Sequence, residues 1–286
     1  MANTTFSGPV RSENGFAIAN KNSSTGIVTD SSLHSSASKD VRRYYLEEYW
    51  KRRPALNAVM NTAFSDADAT AAANGTIRLA EKVANKDFEV LGTSMTTALC
   101  TFDTTRAGII ITTGGTDQNQ AIIAPHLDTN QTAWQTVPWG TENSTIWECV
   151  VTTAASIADI KLWAGLKLTN DQLIVTDANQ AYFKFQTDAT NSEAFTDFTL
   201  LHFVHSIADT DYISALPITV AADTQYHLKI VIDSNRKASI YVNGIQYNVT
   251  STSGSTGGTA VTTGTDKTAA LTEVDLIPYI GVETGT

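Results

Sequence analysis

Glu273 and Asp275 stand two residues apart in the run TEVDLIPYIGV. On a β-strand that spacing turns both side chains to one face. A pair of carboxylates on one face is the equipment of glycoside hydrolysis. His202 and His205, in HFVH, could share a metal only on a helix; on a strand, residues three apart point to opposite faces. Their surroundings, DFTLLHFVHS, are strand-like, so structural roles are expected for both. Cys100 and Cys149 lie in the apolar runs ALCTF and WECVV, a setting for buried reduced thiols rather than a disulfide or a metal. Asp117, Asn119, Asp128 and Asp177 fall in polar loops with oxygen donors of the kind Ca²⁺ takes, although Asp and Asn abound in the loops of any β protein. No other cofactor is called for. Trp134 and Trp139, in AWQTVPWG, lie beside the polar phrases DTNQ and TENS, and an aromatic ring flanked by amides and carboxylates can hold a sugar. Trp147 and Trp163 sit in alternating runs and are expected in a core. Neither a Gly-x-Ser-x-Gly elbow nor a Gly-x-x-x-x-Gly-Lys loop occurs. Thr113-Gly114-Gly115-Thr116 has no Lys after it and predicts a hairpin turn.

Most of these residues are set in strands. From Phe88 onward, short apolar or alternating runs (FEVLG, ALCTF, GIIIT, AIIAPH, TIWECVVTT, DIKLWAGLKLT, AYFKFQT, DFTLLHFVHS, YHLKIVID, ASIYVNGIQYNVT, IPYIGV) follow one another without helical patterns between them. Turn chemistry such as Asp233-Ser234-Asn235 and Asn243-Gly244 separates them. About eleven short strands of this kind predict an all-β sandwich or jelly roll. Of the 286 residues 42% are hydrophobic, enough for a sizeable core, while charged residues make up only 17%. Thr, Ser, Asn and Ala fill the difference, as suits strands and tight turns. Residues 251–268 form a low-complexity exposed loop.

No run approaches the ~20 apolar residues of a membrane helix, and the opening MANTTFSGPVRSENGF has no basic start followed by an apolar stretch. The expected setting is therefore a cytoplasm, or a particle assembled there, with no membrane partner. Residues 1–55 carry eight Lys/Arg against five Asp/Glu, and residues 56–286 eleven against twenty-four. An acidic body repels phosphate, which argues against nucleic acid. Residues 1–38, rich in Ser, Asn, Thr and Gly, predict an extended arm that orders against a partner. In VRRYYLEEYWKRR a short helix is expected, capped by Ser38 or Asp40, with an aromatic face of Tyr44, Tyr45, Leu46, Tyr49 and Trp50. Arg42, Arg43, Arg52 and Arg53 flank it. Tyr, Trp and Arg are enriched at interfaces, so these residues form a candidate docking element; the alternative is a helix packed on its own body. The expected organisation is an anchoring segment, 1–55, a linker or short helix, 56–87, and a β domain, 88–286.

The segment TQYHLKIVIDSNRKASIYVNG, Thr224 to Gly244, resembles adjacent hairpin strands of concanavalin A-like and laminin G-like jelly rolls, and PYIGVE, Pro278 to Glu283, resembles a later strand of the same folds. The phrases IIITTGGTDQNQAIIAPH and WECVV…KLWAGLKLT, with the opening MANTTFSGPVRSENGF, resemble virion proteins of marine podovirus-like bacteriophages. The resemblance implies a concanavalin A-like jelly-roll sandwich preceded by an extended N-terminal arm and a short helix. It further implies a capsid decoration protein on the virion surface, without enzymatic activity. Its partners would be the major capsid protein and further copies of itself, as a homo-oligomer. Two other readings stand beside it, a module that binds host polysaccharide through its loops and a degenerate glycosidase. Some glucanases of this fold carry a Glu-x-Asp-x-(x)-Glu strand; here Pro278 occupies the place of the third carboxylate, the proton donor. That fold normally continues past a PYIGVE-like strand. The expectation is an edge near the C-terminus, either filled by an earlier segment such as residues 76–92 or left open for a neighbouring subunit.

Overall fold

The computed structural model describes residues 17–21, 28–32, 48–50, 55–56, 88–93, 97–106, 108–125, 140–141, 144–188, 197–254, 257, 260–261 and 266–285. The chain divides into two units, residues 1–47 and residues 48–286. In the first, β1 (Ala17–Lys21) and β2 (Val28–Ser32) form an antiparallel pair running from Ala17↔Ser32 to Lys21↔Val28. Part of the expected arm is thus a hairpin. VTDSS has a single apolar residue, so backbone pairing organises these strands without the alternation that would announce them.

The second unit contains β3 (Ala55–Leu56), β4 (Phe88–Gly92), β5 (Cys100–Phe102), β6 (Ile109–Ile111), β7 (Gln120–Pro125), β8 (Ile146–Thr152), β9 (Ile160–Lys167) and β10 (Gln180–Gln186). It continues with β11 (Leu200–Ile207), β12 (Thr210–Thr219), β13 (Gln225–Ile232), β14 (Lys237–Val242), β15 (Ile245–Tyr247), β16 (Ala269–Ala270) and β17 (Ile277–Thr284). Among the described residues the larger sheet has eight strands, in the order β12-β11-β10-β9-β17-β7-β4-β3. A five-stranded sheet runs β15-β14-β13-β8, with β16 on β14, and β5 pairs with β6. The protein is an all-β jelly-roll sandwich, as the run of strands predicts.

Alternation explains why the two sheets adhere. On β13 the residues Tyr226, Leu228, Ile230 and Ile232 are buried, and on β14 Ala238, Ile240 and Val242. They meet Leu162, Ala164, Leu166, Phe183, Phe185, Leu201 and Phe203 of the larger sheet in one core. Each aliphatic or aromatic side chain removed from water there contributes ~1.5–3 kcal/mol. The β13–β14 hairpin closes as its sequence requires: the Asp233 carboxylate accepts the backbone N–H of Asn235 and Lys237 at 2.8 and 2.9 Å. Asn243 and Gly244 have φ of 50° and 80° and connect β14 to β15, the two-residue turn that Asn-Gly favours.

Three expectations are corrected, and one strand is added to those expected. Residues 48–50 are not helical, and Trp50 has a φ of 53°. The Glu48 carboxylate accepts the Trp50 N–H at 2.7 Å, and the indole packs on Phe88 with ring centroids 5.2 Å apart. Packing on the β body therefore wins over helix continuation at this end of the aromatic run. Together with β3, which pairs with β4, it brings residues before 88 into the sandwich. The Gly114-Gly115 turn does not close a hairpin, because β6 pairs with β5 whereas β7 pairs with β4 and β17. Strand β12 went unforeseen. Its run TDYISALPIT contains Pro217, which cannot donate to a ladder, but β12 is an edge strand with a register shift opposite, where Pro is tolerated. Finally, the strand near the C-terminus is no edge. β17 lies between β9 and β7, with Ile280 opposite both Ala164 and Ile123, so an earlier segment, β7 with β4 beyond it, fills that place.

Gly281 on β17 faces the Trp163 ring so closely that a Cβ there would come within 2.2 Å of it. Gly281→Ala is expected to destabilise the body by ~1–3 kcal/mol through forced displacement of a buried indole, read as a lower urea midpoint at unchanged m-value.

Candidate functional site

The face of the larger sheet turned away from the common core holds the densest group of chemically capable side chains. Because Ile160, Leu162, Ala164 and Leu166 point inward on β9, Lys161, Trp163, Gly165 and Lys167 must point the other way. The same alternation sets Gln180, Tyr182, Lys184 and Gln186 on β10, His202, Val204 and Ser206 on β11, and Tyr279, Gly281 and Glu283 on β17 beside them. This face is not washed by solvent. Lys161, Lys167 and Lys184 are 1%, 0% and 0% exposed.

A buried ammonium is tolerable only when oxygen atoms replace its water. Lys161 Nζ lies 2.6 Å from Glu283 Oε1 and 3.4 Å from Asp188 Oδ2. Lys167 Nζ donates to Gln180 Oε1 at 2.5 Å, sits 3.1 Å from Asp177 Oδ2 and stands 4.2 Å above the Tyr182 ring. Lys184 Nζ donates to the backbone and side-chain oxygens of Gln172 at 2.7 and 3.0 Å. The amide of Gln180 relays the network, its Nε2 donating to the Ile174 carbonyl and to Ser206 Oγ, both at 2.7 Å. Ser206 Oγ in turn donates to Asp211 at 2.6 Å. The connection between β9 and β10, with its single 3-10 turn at Ile174–Thr176, supplies Gln172, Ile174 and Asp177 and so covers one end of the face. Between the charged rows Trp163, Tyr182, Val204, Ile213 and Tyr279 pack with Ile122, Ala124 and Ile174.

His202 and His205 fall on opposite faces of β11, as a strand requires. His202 Nε2 lies 3.1 Å from the Gly257 carbonyl, and burial pulls its pKa below the ordinary histidine value. His205 stacks on Tyr212 with centroids 4.6 Å apart, and burial lowers its pKa to about 4. Burial also pushes the thiol of Cys149 upward, and neither Cys100 nor Cys149 forms a disulfide. Trp147 and Trp163 are buried, as expected. Glu273 and Asp275 do not share a strand face. Both precede β17, Glu273 pairing on the surface with Arg236 at 3.8 Å and Asp275 forming an isolated bridge with Gly140. Of the calcium candidates, Asp177 is already held by Lys167 and by Thr169, so its charge is matched within the chain. Among the described residues no group of three His, Cys, Asp or Glu side chains is arranged for a metal ion. In the docking element, Tyr49 is 67% exposed and Trp50 packs on the body. Arg42, Arg43, Tyr44, Tyr45, Arg52, Arg53, Trp134, Trp139 and Asp128 lie outside the described residues.

Sequence reasoning missed the buried polar face altogether. Lys alternating with Leu and Trp in DIKLWAGLK has the pattern of a strand with one wet face. The signal that speaks against it is Trp163 and Gly165 on the same side as the lysines, since neither suits a solvated row.

No family model matches the chain, and no curated protein matches it. Solved structures similar to it include an alginate lyase from Corynebacterium sp., at 12% identity and a TM-score of 0.32, over 66% of this chain and 70% of that one. A family 7 alginate lyase, A1-II′, is similar at 15% identity and a TM-score of 0.35, over 66% and 74%. CG-16, a homodimeric agglutinin from chicken liver, is similar at 12% identity and a TM-score of 0.21, over 48% and 92%. The likeness is one of fold alone.

Asp177→Ala removes the carboxylate beside Lys167 and leaves a buried ammonium poorly matched. A loss of ~3–5 kcal/mol in unfolding free energy is expected, measurable by urea denaturation. The histidines set a pH dependence. His205 titrates near 4 when folded and near the ordinary value when unfolded, so the unfolded chain binds more protons between those limits. Stability is therefore full above that window and falls as pH drops through it, by ~3 kcal/mol for this residue; His202 acts in the same direction. His205→Phe should flatten the stability profile of acid titrations between pH ~4 and ~6.5.

Proposed function

We propose that this protein is a structural component of a virus particle, a decoration protein that binds the outside of a bacteriophage head and is not an enzyme. The observation that carries the reading is the closed polar face. The side chains best suited to chemistry are buried and matched to one another, Lys161 with Glu283 and Asp188, and Lys167 with Asp177. Such a body serves through its shape and outer surface, and needs no cleft.

The charge distribution supports the same role. A segment with an excess of Lys and Arg precedes a body with a large excess of Asp and Glu, which suits attachment by the segment and outward display of the body. A protein that binds the assembled shell and not its dissociated subunits stabilises the shell by mass action. The resemblance of the opening and jelly-roll phrases to virion proteins of marine phages points the same way.

Heads stripped of this protein provide the test. The full chain is expected to co-sediment with them and to raise their resistance to heat, whereas a chain lacking residues 1–55 keeps the circular dichroism of the body and stays in the supernatant. Failure of the full chain to bind, with retention on a polysaccharide column, would replace this reading by the glycan-binding one. Equal binding by the shortened chain would remove the docking role of the N-terminal segment.

A further inference from the structure

Lys161, Asp188 and Glu283 converge at one end of the polar face, and each is almost wholly buried, at 1%, 0% and 2% exposure. Lys161 and Glu283 are direct cross-strand partners on β9 and β17, and Asp188 follows β10, two residues beyond Gln186, the partner of Lys161 on that side. The lysine nitrogen thus lies between two carboxyl groups, 2.6 Å from Glu283 Oε1 and 3.4 Å from Asp188 Oδ2. The two carboxyl groups are held differently. Glu283 Oε2 accepts a hydrogen bond from Gln120 Nε2 at 2.6 Å, which fixes its other oxygen on the ammonium. Asp188 lies against Gly285, where a Cβ would fall 2.6 Å from the Asp188 carboxyl carbon, so that glycine leaves the room the carboxyl group occupies. A nucleophile, an electrophilic carboxyl carbon and a proton carrier are held together in a site closed to bulk water.

We propose that this triad forms an intramolecular isopeptide bond between Lys161 Nζ and the side-chain carboxyl carbon of Asp188, with Glu283 carrying the protons. Glu283 takes a proton from the ammonium and frees the lone pair of Nζ, which attacks the Asp188 carbon and forms the N–C bond. Protons passed on by Glu283 convert one Asp188 oxygen into a leaving water as its C–O bond breaks. Two of the three ammonium protons depart in that water and the third stays on the amide nitrogen, so one positive and one negative charge become a neutral amide. No oxidant, activating group or outside reagent is required, and Glu283 ends as it began. The gain comes from position: groups fixed at contact distance react as if at very high concentration. Exclusion of water favours the uncharged amide over the buried ion pair and keeps the released water from returning.

Intact-mass spectrometry of the purified full chain decides the matter. The wild-type protein is expected to be lighter than its sequence by one water, after allowance for any loss of the initiator Met. Proteolysis should then release a branched peptide joining the segments of Lys161 and Asp188. Lys161→Arg and Glu283→Gln should both show the full mass, with near-ultraviolet circular dichroism reporting whether each remains folded. A wild-type chain of full mass would overturn the proposal without reference to any variant, as would a linkage mapped to Glu283 or to another pair. A Glu283→Gln protein that still carried the Lys161–Asp188 bond would overturn the proton-carrier role.

Discussion

The sandwich depends on the matching of charge inside the larger sheet. Three lysines are withdrawn from water on one face of β9 and β10, and each would make that face untenable alone, since an unpaired buried ammonium costs several kcal/mol. Their oxygen partners come from other elements: Glu283 from β17, Asp188 from the end of β10, and Asp177 and Gln172 from the connection between β9 and β10. The same contacts that neutralise the lysines therefore fix where β17 lies and how that connection folds. On its other side the larger sheet needs only apolar contact, which Phe183, Phe203 and their neighbours provide against Leu228, Ile230 and Ile240. One face specifies and the other adheres.

Much of the architecture was legible because it rests on local rules. The β13–β14 hairpin has strict alternation, an Asp that caps its own turn and an Asn-Gly that accepts positive φ, so the chain announces both strands and both turns. β12 escaped notice because Pro217 carries the mark of a breaker, and only its edge position makes that residue harmless. The aromatic run before Pro54 looked helical by composition, yet Trp50 found Phe88, a contact across the fold that no local rule reports. The turn at Gly114-Gly115 failed for a similar reason: which strands flank a loop says nothing of whether they pair.

The site was less legible than the fold. A lysine in an alternating strand has the same pattern whether it meets water or a carboxylate more than a hundred residues away, and the partner that decides is fixed only by topology. Lys161 and Glu283 illustrate the point, since their pairing requires β17 to enter between β9 and β7. The histidines were more tractable, because strand geometry alone separates His202 from His205. Glu273 and Asp275 precede the strand whose alternation would have aligned them, so their spacing in the sequence does not become a shared face.

The position of β17 bears on how the protein comes into being. Among the described residues two groups of neighbouring strands, β9 to β12 on one side and β7, β4 and β3 on the other, are joined only through this strand, which follows the other described strands. Until the ribosome has delivered it, the halves have no ladder between them, and each presents an unpaired border and a strip of uncovered apolar surface. Pairings so distant along the chain are slow to form, and such borders invite association with other nascent chains. Closure of the larger sheet therefore waits on β17 as its keystone, and the interval before that strand pairs is when the polypeptide is most in need of a chaperone.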